Sequence, residues 1–268
     1  MNRSRLILAV IIAVISLVSY FGAREFNPIT KETQHVSITP KQEIALGLQA
    51  APEMAQQYGG LHPDKEAQAK VDAVGRRLVA QTAASQTPYQ FDFHLLADDR
   101  TINAFALPGG QVFITAGLMK LLRTEGELAG VLGHEIGHVV ARHAAEHIAK
   151  AQLTQGLTGA AVLATYDPDD PSSQRTAAVA ALIGNLINMK FGRDDELESD
   201  RLGVRFLSEA RYDPRAMISV MEVLAEASKG PRPPEFFSTH PNPDRRIEQI
   251  KAAIQEKYPN GVPEGLVK

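Results

Sequence analysis

Residues 124–139, TEGELAGVLGHEIGHV, decide how the chain reads. Thr124 followed three residues later by Glu127 is a capping box, in which a hydroxyl and a carboxylate satisfy the free N–H groups at a helix start. Behind it Leu128, Val131, Leu132, Ile136 and Val139 recur at helical spacing, so the segment is a helix with an apolar stripe. On that helix His134 and His138 stand one turn apart, and both can present an imidazole nitrogen to a single ion. Glu135 lies about 100° round the axis from His134, where it can reach a water without being a ligand itself. Imidazoles and a carboxylate in a mostly apolar stretch are costly to bury unpaired, which favours a metal site over chance surface histidines.

A catalytic zinc site takes three protein ligands and keeps one position open. The longer three-histidine motif is excluded, because Ala141 and Ala144 stand where it needs glycine and histidine. His143 and His147 fall off the ligand face and read as surface or helix-packing histidines. Residues 193–201, RDDELESDR, supply a better third ligand: Glu196 and Asp200 share one face of another helical pattern. That face offers a ligand carboxylate and, one turn later, a carboxylate to orient a ligand imidazole, while Glu198 points elsewhere. The competing reading is a solvated acidic run opening a helix, where acids are at home for electrostatic reasons alone.

The 268 residues carry 28 Lys+Arg against 31 Asp+Glu, a net charge of −3, or −5 once Arg3 and Arg5 are set aside. A nucleic-acid partner held through counterion release is not expected from that balance. Zero cysteines exclude disulfides, a thiol nucleophile and thiolate metal ligands, so a metal must be held by His, Asp or Glu. Residues 6–22, LILAVIIAVISLVSYFG, carry no charge and follow two arginines. They read as a membrane-insertion segment near the short end of a span, kept as an uncleaved signal anchor because Phe21 spoils the small-residue pattern for cleavage. The basic residues before it place the N-terminus in the cytoplasm and the rest of the chain outside it.

Residues 24–39 read as a tether. Helices are expected from Thr39-Pro40, with Ile44, Leu48 and Ala51 on one face, and from His62-Pro63-Asp64 to Ala84. Tyr89, Phe91, Phe93 and Leu95 alternate as a half-buried strand, and residues 102–106 and 111–115 form two short strands around Pro108-Gly109-Gly110. The layout is α+β and mostly helical: residues 1–23 a signal anchor, 24–39 a tether and 40–268 one catalytic domain with a small sheet. The Ala/Leu/Gly-rich stretch 149–188 reads either as helices covering a cleft or as a plain helical hairpin completing the core.

HEIGH, FGRDDELESDRLG and FFSTHPNPDRRI, preceded by NAFALPGGQVFITAGLM, together resemble the membrane-associated zinc metalloendopeptidases of the HtpX and CAAX-prenyl-protease family, over residues 40–255. The resemblance implies a zincin-like fold with a downstream ExxxD helix. It implies one Zn2+ held by His134, His138 and Glu196, with Glu135 as general base and Asp200 orienting a ligand. HtpX and the prenyl proteases have several membrane spans and this chain shows one, so it looks like the single-span extracytoplasmic branch. In the resemblance His240 sits near the zinc, either in the fourth position as a switch or polarising the scissile carbonyl, and Arg246 supports it or the oxyanion. The plainer alternatives are a loop histidine against Pro241 and an arginine on a solvated face.

Asn103, Ala104 and Phe105 read as an edge strand that binds substrate backbone by strand addition, or as an ordinary hairpin. The function expected is a zinc metalloendopeptidase acting on unfolded or misassembled envelope proteins. It is anchored in a bacterial inner membrane with its catalytic domain in the periplasm, or is periplasmic if the N-terminal segment is cleaved. One rival is a chaperone or assembly factor using the same zinc-gated, strand-binding cleft, and a second is a metal-stabilised structural module at the membrane.

Overall fold

The computed structural model describes residues 3–165, 190–230, 234–240 and 246–268. In chain order the elements are α1 (Arg3–Gly22), β1 (Arg24–Phe26), β2 (Thr33–His35), α2 (Pro40–Gln57), α3 (Lys65–Gln81), β3 (Asp92–Leu96), β4 (Ala104–Leu107) and β5 (Gln111–Thr115). They continue with a short α4 (Ala116–Met119), α5 (Glu125–Val140), α6 (His143–Thr165), α7 (Arg193–Glu209), α8 (Ala216–Ala227), a short α9 (Phe236–Thr239) and α10 (Arg246–Lys257). This is the mostly helical α+β arrangement that the sequence predicts. Of the 149–188 stretch, α6 covers the first part and residues 166–188 lie outside the described residues.

Local signals set the helix starts. Thr124 and Glu127 form the capping box of α5, Asp64 caps α3 through the N–H groups of Glu66 and Ala67, and Thr39 with Gln42 boxes α2. Strand order is β3-β5-β4, with β5 parallel to β3 and antiparallel to β4. Every residue of the central strand β5 is buried, because helices cover both sheet faces. Phe93, Leu95, Ala104, Val112 and Ile114 join the core built with α3 and α5, while Leu96, Phe105, Leu107 and Phe113 join a second cluster with Ala50, Met54 and Tyr58 of α2 and its end. The β4–β5 turn packs against α2: Gly109 has φ +82°, and a Cβ there would meet the Ile44 backbone.

The buried face of α2 is one residue away from the expected one. Glu43, Gly47, Ala50 and Met54 point inward, whereas Leu48 is exposed. A buried carboxylate drives this choice, because Glu43 meets Arg142 at 2.6 Å and accepts from Tyr89 Oη at 3.1 Å.

Residues 24–39, expected as a tether, are docked on the end of α5. Helix ends leave carbonyls without intrahelical partners. Asn27 Nδ2 donates to Val140 O at 2.8 Å, and Gln34 Nε2 donates to Ala141 O. Arg142, with φ +58°, completes the joint by pairing with Glu25 at 2.6 Å and donating to Ile38 O at 2.9 Å.

α1 packs along α6, where a Cβ on Gly156 would collide with Ser16 Oγ. Its other sides are open: Ile7 and Ile15 are 61% exposed and Val18 67%. The uncharged run 6–22 extends about 26 Å as a helix, short of the roughly 30 Å of a bilayer core. Among the described residues no helix is long and apolar enough to cross a membrane.

Candidate metal centre

Every residue of α5 from Gly126 to Val140 is buried. α7 lies close against it because the contact residues are small: a Cβ on Gly137 would fall 2.6 Å from Ser199 Oγ, and one on Gly133 would fall 2.8 Å from Leu207 Cδ1. Ser199 Oγ donates to His134 O at 2.5 Å, which fixes the sliding register of the two helices. In that register Glu196 and Asp200 of α7 face His134 and His138 of α5.

The donor atoms converge. His134 Nε2 and His138 Nε2 are 3.1 Å apart, and the Glu196 carboxylate oxygens lie 3.5 Å from the first and 3.4 Å from the second. His240, just beyond α9, brings its Nδ1 to 3.0 Å from Glu196 Oε1 and 3.4 Å from His134 Nε2. These four side chains offer ligand atoms that all lie within 4.8 Å of one another. Zinc with bonds of about 2.0–2.1 Å in a tetrahedron has its donors about 3.3 Å apart, so the spacing fits that ion. Donor chemistry agrees, since imidazole and carboxylate are ligands zinc accepts and two opposed Nε2 atoms are better joined by a cation than by a shared proton.

Behind the donors stand charged partners. Asp200 Oδ1 is 3.0 Å from His134 Nδ1, and Arg246 holds Asp200 by two hydrogen bonds of 2.6 and 2.7 Å. Arg246 Nη1 also lies 3.0 Å from Glu196. Arg246 is therefore buried at the centre and serves the carboxylates; it is not on a solvated face. Phe191 stacks on His138 at 4.0 Å between ring centres, and Phe236 stacks on His240 at 4.4 Å.

Burial pushes the Glu135 carboxyl above its ordinary range, and both of its oxygens are buried without a hydrogen-bond partner, 3.6 Å from His240 Nε2 at the nearest. Burial also drives His138 well below the usual imidazole range, which keeps it neutral as a ligand should be. For His134 burial acts in the same direction, but hydrogen bonds to Asp200 and Glu196 outweigh it and hold the ring up at about 9. A bound cation would take the place of that proton.

Asn103, Ala104 and Phe105 lie beside this cluster, on the sheet's outer strand. Thr115 N donates to Asn103 O, so antiparallel alternation turns the N–H and C=O groups of Ala104 and Ala106 away from β5. Asn103, Phe105, Met54, Tyr58, Phe191 and His240 line a narrow cleft between this strand and the histidine, with a cavity of about 30 Å³. Asn103 itself is buried and donates to Tyr58 Oη at 3.1 Å and Glu235 Oε1 at 3.3 Å.

Sequence reasoning missed two residues that touch the centre. His143 is fully buried with its Nδ1 2.8 Å from His138 Nδ1, and Glu198 meets its other nitrogen at 3.1 Å. Projecting α5 onward as an unbroken helix puts residue 143 off the ligand face. The chain instead turns at Arg142, where no glycine announces the left-handed residue. His147, by contrast, is a packing histidine, bonded to Asp195 at 2.7 Å.

Comparison with known proteins agrees with this geometry. The family model described as Peptidase family M48 matches residues 65–254. A beta-barrel assembly-enhancing protease of Yersinia pestis is 36% identical over 71% of this chain and 39% of its own length, and that of Escherichia coli (strain K12) is 33% identical over 70% and 39%. The mitochondrial metalloendopeptidase OMA1 of Schizosaccharomyces pombe is 32% identical over 89% of this chain and 69% of its own. The chain thus spans about two fifths of the bacterial relatives' length. With its family model covering most of the chain, this protein belongs to peptidase family M48.

Proposed function

We propose that the chain is a zinc-dependent endopeptidase. The observation that carries the reading is the pairing of a four-donor cluster with a buried carboxylate, Glu135, whose oxygens have no hydrogen-bond partner among the described residues. Zinc, when bound, polarises the scissile carbonyl and makes water acidic enough to lose a proton near neutral pH. His134, His138 and Glu196 hold the ion, and Asp200 orients His134. Glu135, as the carboxylate, takes the proton from the attacking water and delivers it to the leaving amine, and burial raises its affinity for that proton. Arg246 keeps Asp200 ionised and in place, and its Nη1 also holds Glu196 at 3.0 Å. The edge of β4 not paired with β5 binds the substrate as an added strand, through the outward backbone groups of Ala104 and Ala106, so cleavage selects extended chains over particular sequences.

His240 would supply a fourth donor beside these three, where a catalytic site keeps an opening. In this reading it is a gate that substrate displaces. The same observation favours a second reading, in which the cleft binds strands as a chaperone or assembly factor and His240 keeps the centre closed. Cleavage of an unfolded model protein by the full chain, compared with Glu135→Gln at matched zinc content, separates the two: loss in the variant supports the peptidase, and equal strand binding with no cleavage by either protein supports the second reading.

We place the protein in a bacterial envelope, on unfolded or misassembled envelope proteins, with residues 1–23 as the membrane attachment and residues 40–268 as the peptidase domain on which 24–39 are docked. The support is the open apolar surface of α1 and the assembly role in the bacterial relatives' names. Recovery of the full chain in the membrane fraction after an alkaline wash is the expected result, and release into the supernatant contradicts it.

A further inference from the structure

Each ligand imidazole presents one nitrogen to the donor cluster and leaves the other to be satisfied by the protein. His134 Nδ1 meets a carboxylate directly, Asp200 at 3.0 Å. His138 Nδ1 meets no carboxylate among the described residues; it faces His143 Nδ1 at 2.8 Å, and His143 Nε2 faces Glu198 Oε2 at 3.1 Å. We infer that His143 and Glu198 are positioning residues for the metal centre, a two-step relay that does for His138 what Asp200 does for His134. The inference rests on the reading that His138 is a zinc ligand.

Hydrogen-bond bookkeeping assigns the protons. An ionised carboxylate only accepts, so His143 carries its hydrogen on Nε2 and donates to Glu198. The neutral ring then has a lone pair on Nδ1, which can only accept. His138 must carry its hydrogen on Nδ1 to fill that bond, leaving its Nε2 lone pair aimed at the donor cluster. The relay thus selects the ligand tautomer of His138 and fixes the plane of its ring.

The fold builds this arrangement at some expense. α5 ends at Val140, Arg142 adopts φ +58°, and the reversed chain returns His143, the first residue of α6, to the Nδ1 side of His138. Arg142 is pinned there by Glu25 and Glu43 at 2.6 Å each. His143 is fully buried and the Glu198 side chain is 16% exposed, so water competes little for either bond. α7 consequently serves the centre three times: Glu196 among the donors, Asp200 behind one histidine and Glu198 behind the other.

The test is zinc affinity of the full chain, measured by competition with a chelator, together with the visible spectrum of the Co2+-substituted protein. His143→Leu keeps the bulk and removes both bonds; it should weaken zinc by about 10–100-fold and shift the cobalt bands. His143→Gln can still accept from His138 and donate to Glu198, and should retain affinity to within about threefold. Glu198→Ala, at the partly exposed end, should lose about tenfold while folding normally. Wild-type affinity in both His143→Leu and Glu198→Ala overturns the inference, as does a His143→Gln loss equal to that of His143→Leu. If His138→Ala binds zinc as tightly as wild type, the ligand reading itself fails and the inference with it.

Discussion

α5 and α1 are both rich in apolar residues, and the structure treats them in opposite ways. α5 is buried from Gly126 to Val140 while carrying two imidazoles and a carboxylate in its middle. α1 has no charged side chain from Leu6 to Gly22 and leaves most of its large apolar side chains open. Burial follows what surrounds a helix as much as what it is made of. α5 has small residues where α7 and α8 approach, an amide cap from residues 24–39 at its end, and polar partners for its buried side-chain heteroatoms except the two Glu135 oxygens. α1 meets α6 along one side, and no other described helix covers the rest.

That contrast predicts steep costs around α5 and shallow ones on α1. The largest is Arg142→Ala at the α5–α6 corner. Burial already pushes the Glu43 carboxyl up with the guanidinium beside it, so removing Arg142 should cost about 3–5 kcal/mol in urea unfolding. A loss below 1 kcal/mol would mean the corner is held by other contacts. Saturating zinc comes next: at about a thousand times Kd it should stabilise the chain by about 4 kcal/mol, and chelation should reverse this in a thermal melt. An unchanged melting temperature would break the claim that α5's buried donors await a cation.

Gly137→Ala should destabilise by about 1–3 kcal/mol, because the new methyl meets Ser199 Oγ at 2.6 Å and pushes α7 with Glu196 and Asp200 away. Zinc affinity should fall in the same variant. Smallest is the pair Ile15→Ser and Val18→Ser on the open side of α1, each expected to change folding stability by no more than about 0.5 kcal/mol while reducing membrane recovery. A destabilisation matching that of Gly137→Ala would show that α1's outer face is packed in solution.

What the sequence made legible was local. The capping box at Thr124, the spacing of His134 and His138, the Asp64 cap and the glycine turn between β4 and β5 each depend on residues a few positions apart. The face of α2 was misplaced because Glu43 is buried by an arginine 99 residues away, and burial of a charge runs against every hydropathy rule. His143 was dismissed by a helical projection that Arg142 interrupts without a glycine to mark it. The Tyr58–Asn103–Glu235 contact spans separations of 45 and 132 residues and left no periodic trace.

The central claim is that Glu135 handles the proton of peptide hydrolysis at a metal held by His134, His138 and Glu196. Its most direct test is the rate at which the full chain cleaves an unfolded protein, wild type against Glu135→Gln, with zinc content measured on both. The account predicts that the variant retains zinc and loses at least about a hundredfold in rate. Cleavage by Glu135→Gln at the wild-type rate, with zinc retained, would contradict it.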